Sequence, residues 1–234
     1  MLPIIEFLWI HPKLLEIRWE ERIDTAILHA QLALYHSLQK KAGVESLRIG
    51  YHTLNVLFTH EQSGIQRITW EEELTKDPVE HAITSSSQWE IPVCYELGKD
   101  LEMLARMKGL TTEQLIELHS SQSYLLHFYG FLPGFMYLGG LDTTLHTNRK
   151  ITPDPQIAAG SVGIGGAQTG IYTLPSPGGW HIIGKTPLTL FNPKQEPPVR
   201  PQIGDSIVFR AISLSAYQVL EQAISQGSYE WNHK

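Results

Sequence analysis

The sequence predicts an α+β domain followed by an all-β domain of the barrel or sandwich type. In the first 95 residues, helical and strand-like apolar patterns alternate. The composition then changes, because 23 of the 33 glycine and proline residues lie between Gly130 and Gly204. Short apolar segments separated by frequent turn signals are typical of all-β domains. We therefore expect an α+β domain at 1–95, a helical connection at 96–127 and a β domain with a C-terminal helix at 128–234.

The composition is that of a globular protein without a nucleic-acid or membrane partner. The 234 residues are 42% hydrophobic and 18% charged, which is enough for a buried core. The formal net charge of −6 argues against binding to a phosphate backbone. The single cysteine, Cys94, excludes an intrachain disulfide and a cysteine-based zinc site, and we expect it to be buried. No apolar run reaches the roughly 18–20 residues that cross a bilayer. The N-terminus lacks the basic start of a signal peptide, so we expect a cytoplasmic protein.

Apolar periodicity predicts five elements in the first domain, in this order: strands at 4–10 and 14–19, a helix at 23–40, and strands at 46–59 and 88–95. Residues 50–52 interrupt the strand at 46–59, which predicts a bulge. Pro92 cannot donate a backbone hydrogen bond, so the strand that contains it is expected at an edge or a bulge. The three glutamates at 71–73 are expected on a solvated loop.

Two helices are predicted in the connection, at 99–107 and 112–119. Gly109 is suited to end the first helix, and Thr111 with Gln114 fits a capping box that begins the second. In the β domain the pattern predicts strands at 161–164, 171–174, 180–183, 189–191 and 206–211, followed by a helix at 215–226.

Residues 155–184 contain no Asp, Glu, Lys or Arg. Two explanations remain open: tight glycine turns exclude large side chains, or a ligand or partner covers this surface. The loop Ser176-Pro177-Gly178-Gly179-Trp180 could present backbone N–H groups to an anion. The aromatic run at 130–137 is either barrel core or the mouth of a pocket. The glycines at 163, 165 and 166 lack the third glycine and the βαβ unit of a dinucleotide site.

These segments supply the candidate substrate-binding or partner-binding residues. They are Pro133, Gly134, Phe135, Tyr137, Arg149, Gln168, Thr169, Tyr172, Pro177, Gly178, Gly179, Trp180, Lys185 and Thr186. Arg149 and Lys185 are the candidates for holding an anionic group. No complete catalytic arrangement and no metal-ligand spacing is visible, so neither catalytic residues nor a metal site are predicted.

Five blocks, in this order along the chain, resemble one known family. They are Gly130-Phe131-Leu132-Pro133-Gly134-Phe135-Met136-Tyr137-Leu138, Ala159-Gly160-Ser161-Val162, Gln168-Thr169-Gly170-Ile171-Tyr172, Ser176-Pro177-Gly178-Gly179-Trp180 and Ile183-Gly184-Lys185-Thr186-Pro187. The family is that of the 5-oxoprolinase B subunits, also called the allophanate hydrolase subunit 1 or KipI family. The resemblance implies that the β domain is a cyclophilin-like barrel.

The resemblance also implies an activity and partners. Similar proteins associate with relatives of the 5-oxoprolinase C and A subunits, and together they cleave 5-oxoproline to L-glutamate with ATP. ATP, and a divalent metal with it, is then expected at the level of the complex, and this chain alone is expected to be inactive. Two other roles remain open: a component of a urea- or allophanate-type carboxyltransferase, and an inhibitor of a sensor histidine kinase.

Overall fold

The computed structural model describes residue 4, residues 6–76 and residues 87–231. It separates into two compact units, Met1–Ser85 and Ser86–Lys234. Ile5, part of the first predicted strand, lies outside the described residues. In the part of the chain that the structure describes, no helix is both long enough and apolar enough to cross a membrane.

The first unit is built on a four-stranded antiparallel sheet in the order β1-β2-β4-β3. Its elements are β1 (Glu6–His11), β2 (Leu14–Arg18), α1 (Thr25–Leu38), β3 (Val44–Ile49), β4 (Thr53–Phe58) and α2 (Gly64–Lys76). Asp24 begins α1 by accepting a hydrogen bond from the Ala26 amide. The leucine-rich side of α1 packs against β3 and β4, and alternate residues of β4 are buried.

Two predictions for this unit were wrong. The predicted strand at 46–59 is a hairpin, because Gly50 donates to the Thr53 carbonyl at 2.8 Å and turns the chain between β3 and β4. The predicted loop at 71–73 belongs to helix α2, where Glu71 accepts from Trp9 Nε1 at 2.9 Å. Helix α2 has no continuous apolar stripe, and its Ile65 and Ile68 are exposed, so periodicity could not reveal it.

The second unit contains a seven-stranded mixed sheet in the order β12-β9-β10-β7-β6-β13-β5. Its elements are β5 (Gln88–Val93), α3 (Leu101–Lys108), α4 (Thr112–Ser120), β6 (Ser123–Tyr129), β7 (Met136–Gly139), β8 (Asp154–Ile157), β9 (Ser161–Gly165), β10 (Gln168–Ile171), β11 (Ser176–Gly178), β12 (His181–Lys185), β13 (Ser206–Ala211) and α5 (Leu214–Ser225). Strands β8 and β11 form a separate two-stranded ribbon.

The two ends of the seven-stranded sheet meet, so the sheet is a nearly closed barrel. Cys94, directly after β5, donates to the Lys185 carbonyl at 2.8 Å, and Lys185 donates back at 3.0 Å. At this seam a β-carbon on Gly184 would lie 2.6 Å from Val93 Cγ1, so only glycine fits. An α+β unit followed by a barrel confirms the predicted fold class. Cys94 is buried, as predicted.

The boundary between the units differs from the one expected at residue 95. Strand β5 pairs in parallel with β13 over its whole length, and α4 packs against β13, so both belong to the barrel unit. Periodicity identifies a strand but not the strand with which it pairs, which explains the difference. Pro92 lies in the last strand of the hydrogen-bonded order, as its missing N–H requires.

In this unit, the residues predicted to end α3 and to begin α4 do so in the structure. The capping box at Thr111 and Gln114 is present, and Gly109 ends α3 with a φ of +67°. Strand β13 spans the residues predicted for it. The expected strand at 189–191 does not form, although Leu188 and Leu190 are buried. Strands β6, β7, β8 and β11 were not predicted, and β10 begins three residues before the predicted position. In β10 the early residues Thr169 and Gly170 are buried without being strongly apolar.

Candidate functional site

An aromatic pocket opens in the barrel unit. Its cavity has a volume of about 260 Å³, and we call it the aromatic pocket. The residues that line it are Phe131, Phe135, Tyr137, Arg149, Pro153, Tyr172, Pro177, Gly178, Gly179 and Trp180. They come from β7 and the turn before it, from the segment that precedes β8, from the residue after β10, and from β11 with the turn that follows.

The walls of the pocket are aromatic rings packed edge to face. The Phe135 ring lies 5.4 Å from the Trp180 ring and 5.4 Å from the Tyr172 ring, centroid to centroid, at interplanar angles of 81° and 85°. Tyr137 lies 5.0 Å from Phe135 on another side. Edge-to-face contacts at these separations are favourable, so the rings form a preorganised wall.

Trp180 explains the glycine-rich character of β9 and β10. A β-carbon on Gly165 would lie 2.5 Å from Trp180 Cδ1, and one on Gly170 would lie 3.1 Å from Cζ3. The indole therefore occupies the space that side chains on these strands would fill. Strand β9 is buried throughout, and much of the charge-free segment is barrel interior. Burial within the chain itself, rather than cover by a ligand or partner, thus explains most of the missing charge.

The loop that precedes β12 is tightly organised around a phenol. A β-carbon on Gly178 would lie 2.2 Å from Tyr172 Oη, whereas one on Gly179 would meet nothing closer than 3.5 Å. The Trp180 backbone beside the phenol lowers the pKa of Tyr172 and so opposes the effect of burial. Burial is the larger effect and raises the pKa of Tyr172 to about 12.

Arg149 is the one formal charge among the described residues that line the pocket. Its guanidinium carbon lies 5.8 Å from the centre of the Trp180 ring, within the range of a cation–π contact. No described carboxylate forms an ion pair with it. Its charge also acts on the pocket phenols, because it partly offsets the burial that raises the pKa of Tyr137. An exposed guanidinium beside apolar rings can bind a carboxylate or a phosphate.

A charged network holds the segment that carries Arg149. Lys150 Nζ donates to Asp100 Oδ2 at 2.7 Å and to Asp154 Oδ2 at 2.8 Å, and the Lys150 amide donates to the Gly179 carbonyl at 2.7 Å. Asp100 also accepts from the Ile182 amide at 2.7 Å. Hydrogen bonding to Lys150 holds the pKa of Asp154 below its usual value. The network thus joins the start of α3 to β8, to β12 and to the loop at 177–180, which we call the pocket loop.

Six of the candidate residues do not line the pocket. Two of them lie in the turn before β7. The Pro133 carbonyl accepts from Thr173 Oγ1 at 2.7 Å, and Gly134, with a φ of +75°, packs against Phe191 and Val199. A β-carbon on Gly134 would come within 2.9 Å of the Phe191 side chain, so glycine is required there for shape. These two residues shape the turn that carries the pocket aromatics.

The other four are structural parts of the barrel. Gln168 lies at the β9–β10 hairpin opposite Gly165. Thr169 is fully buried and hydrogen-bonds to His119. Lys185 lies at the barrel seam, and its ammonium group is 5.9 Å from the Tyr217 ring. Thr186 is buried, and its amide donates to the Gly160 carbonyl at 2.9 Å.

Sequence reasoning missed Phe131 and Pro153 as pocket residues. Phe131 was part of the aromatic run for which core and pocket mouth both remained open, and both turn out to apply. Phe135 is 1% exposed and belongs to the core, whereas Phe131 is 61% exposed. The positive φ of Phe131 would have singled this residue out, but a φ angle cannot be read from the sequence. Within the described ranges, no group of three or more His, Cys, Asp or Glu could hold a metal ion.

Comparison with known proteins identifies the family. Residues 5–200 match the family described as carboxyltransferase domain, subdomain C and D. The chain is 46% identical over 135 residues to the 5-oxoprolinase B subunit from Bacillus subtilis, and this alignment covers 57% of this chain and 56% of that protein. It is 43% identical to the 5-oxoprolinase B subunit from Escherichia coli O157:H7, over 68% of this chain and 74% of that one.

A solved structure extends the comparison to almost the whole chain. The urea amidolyase of Kluyveromyces lactis aligns with 99% of this chain and 17% of its own, with a TM-score of 0.78 and 15% identity. That likeness concerns the fold alone. The two bacterial B subunits and the family match cover most of this chain. The chain therefore belongs to the family of 5-oxoprolinase B subunits, within the carboxyltransferase C and D domain family.

Proposed function

We propose that this chain is the B subunit of an ATP-dependent 5-oxoprolinase, which converts 5-oxoproline to L-glutamate together with relatives of the A and C subunits. The observation that supports this most is the aromatic pocket, whose described lining residues include one guanidinium. It occurs in a chain whose relatives are named as B subunits of 5-oxoprolinase. Because the reaction uses ATP, we place the complex in the cytoplasm.

The pocket matches the chemistry of 5-oxoproline. This substrate is a small five-membered lactam with one carboxylate. Its ring is suited to the rings of Phe135, Tyr172 and Trp180, and its carboxylate is suited to Arg149. Apolar walls with one oriented polar group are typical of small-molecule sites.

The described pocket residues lack a group that could act as a base near neutral pH. Burial raises the pKa of Tyr137 and of Tyr172, so both phenols remain protonated and neither can accept a proton. Opening an unactivated lactam needs activation of its amide oxygen and a base for water. We propose that the partner subunits supply these groups, so that the pocket is one side of a shared site.

ATP does not fit the glycine-rich segment of this chain. Gly163 and Gly165 lie against Trp180, and Gly166 forms the β9–β10 turn with a φ of +68°. Backbone amides in this arrangement are not free to surround phosphates. We therefore place ATP and its divalent metal elsewhere in the complex. There, transfer of the γ-phosphoryl group to the lactam oxygen would release ADP and produce a better electrophile.

The test is to purify this chain with its A-type and C-type partners and to measure L-glutamate formed from 5-oxoproline and ATP. We expect a stable complex that forms glutamate. A stable complex that forms none would exclude 5-oxoproline as the substrate, and release of ADP with urea instead would point to the carboxyltransferase alternative. Failure to form a complex would overturn the proposed partners and favour the histidine kinase regulator.

A further inference from the structure

Phe131 has an unusual backbone conformation. Its φ is +57°, and among the described non-glycine residues it alone has a positive φ. Residues with a β-carbon rarely adopt this left-handed conformation, whereas glycine adopts it without strain. The chain therefore retains a phenyl ring at a position where the backbone favours glycine.

Burial of the Phe131 side chain does not offset the free-energy cost of its backbone conformation. The Phe131 residue is 61% exposed, so it contributes little to the core. Its ring instead lines the aromatic pocket and makes edge-to-face contacts there. The centroid distances are 5.6 Å to Phe135 and 6.3 Å to Tyr172, both at 90°. Strained residues that persist tend to occur at ligand sites.

We propose that Phe131 is a specificity-determining residue whose ring covers the flat face of a small planar amide bound in the aromatic pocket. This inference rests on the proposed function and extends it, because it assigns recognition of the amide ring to one residue. The face of a planar amide is suited to packing on an aromatic ring. Arg149, the one charged group among the described lining residues, then selects amides that also carry an anionic group.

An exposed phenylalanine could instead contact another protein of the complex. The structure favours a ligand, because the ring lines the cavity and packs against two of its walls. The two roles predict different measurements: a ligand contact changes KM for the amide, whereas a partner contact changes the concentration needed for assembly.

Two variants of the complete complex test the proposal. Phe131→Gly removes the ring and also removes the backbone strain, so its melting temperature should equal or exceed that of the parent chain. Its KM for 5-oxoproline should rise about tenfold. Phe131→Tyr keeps both the ring and the backbone constraint, and its KM should stay within about twofold of the parent value. A merely structural role would lower the melting temperature of the glycine variant.

An unchanged KM in Phe131→Gly would overturn the proposal while leaving the proposed function in place. A KM effect that disappears when the partner proteins are saturating would assign Phe131 to assembly and would also overturn it. If the parent complex does not consume 5-oxoproline, the proposed function fails separately. The full chain is then titrated with 5-oxoproline and 2-pyrrolidinone: binding that weakens about tenfold in Phe131→Gly supports the proposal, and no binding to the parent chain overturns it.

Discussion

Two adjacent glycines in the pocket loop differ in the space around them. A β-carbon on Gly178 would collide with Tyr172 Oη at 2.2 Å and with Ile157 Cδ1 at 2.8 Å, whereas Gly179 has ordinary contacts. We predict that Gly178→Ala displaces the phenol, costs about 1–3 kcal/mol of stability and lowers kcat/KM about tenfold. Gly179→Ala is the matched control. Equal effects of the two changes, in kinetics and thermal unfolding of the complex, would contradict this account.

Arg149 is predicted to act on substrate binding rather than on stability. It is exposed, and no described carboxylate pairs with it, so Arg149→Met should leave the free energy of unfolding within about 0.5 kcal/mol. Loss of a charge-assisted contact should raise KM for 5-oxoproline about 10- to 100-fold. Arg149→Lys should be intermediate, because lysine lacks the two-pronged geometry of the guanidinium. A wild-type KM in Arg149→Met would show that the carboxylate binds elsewhere.

At the scale of secondary-structure elements, the charged network around Lys150 joins α3, β8 and the pocket loop. Its side chain is 16% exposed and pairs with two carboxylates, whereas the Lys99 side chain is 47% exposed and pairs, among the described carboxylates, with Asp154 alone. We predict that Lys150→Met costs about 2–3 kcal/mol, because it leaves Asp100 partly buried without its counterion. Lys99→Met should cost less than about 1 kcal/mol. Urea unfolding of the two variants measures the difference, and similar costs would contradict the assignment.

A buried histidine joins α4 to the barrel. His119 Nε2 lies 2.8 Å from Thr169 Oγ1, which itself donates to the Gly163 carbonyl, so Nε2 is the protonated nitrogen. The Tyr95 hydroxyl then donates to Nδ1 at 2.7 Å. Burial lowers the pKa of His119 to about 3, so the folded protein binds its proton less readily than the unfolded chain does.

This difference in pKa predicts a loss of stability in mild acid. The contribution of neutral His119 to the free energy of unfolding is fully present above about pH 6.5, and it is lost progressively as the pH falls towards 3. Between pH 6.5 and 4.5 the loss should reach about 2–3 kcal/mol. His119→Gln should reduce this dependence, and His36→Gln, at an exposed position, should not. Urea unfolding at several pH values measures it, and parallel curves for the parent and His119→Gln would contradict the prediction.

The elements also show what local sequence signals can predict. The capping box at Thr111 and the bounds of β13 depend on neighbouring residues, so the sequence predicted both. The division between the units depends on β5 pairing with a strand more than 100 residues away, which no local pattern reveals. Helix α2 was missed because it lacks an apolar stripe.

For the whole molecule, most of the aromatic pocket could be predicted, but not the reason for its composition. The aromatic run, the loop at 177–180 and Arg149 were recognised as candidates, and the structure brings them together. For the charge-free segment that contains the glycines of β9 and β10, tight turns and a covered surface both remained open, and the structure shows that these glycines make room for Trp180. Lys185 and Thr186 were candidates by position in a motif, yet their contacts belong to the barrel seam.

For the whole molecule, we propose that the aromatic pocket is one side of a shared site, because its described lining residues include no base. The most direct measurement is 5-oxoproline-dependent release of ADP by the complete complex and by mixtures that each omit one component. We expect ADP release only when this chain and its A-type and C-type partners are all present. Turnover by this chain alone, or undiminished turnover without it, would show that the pocket is not one side of a shared site.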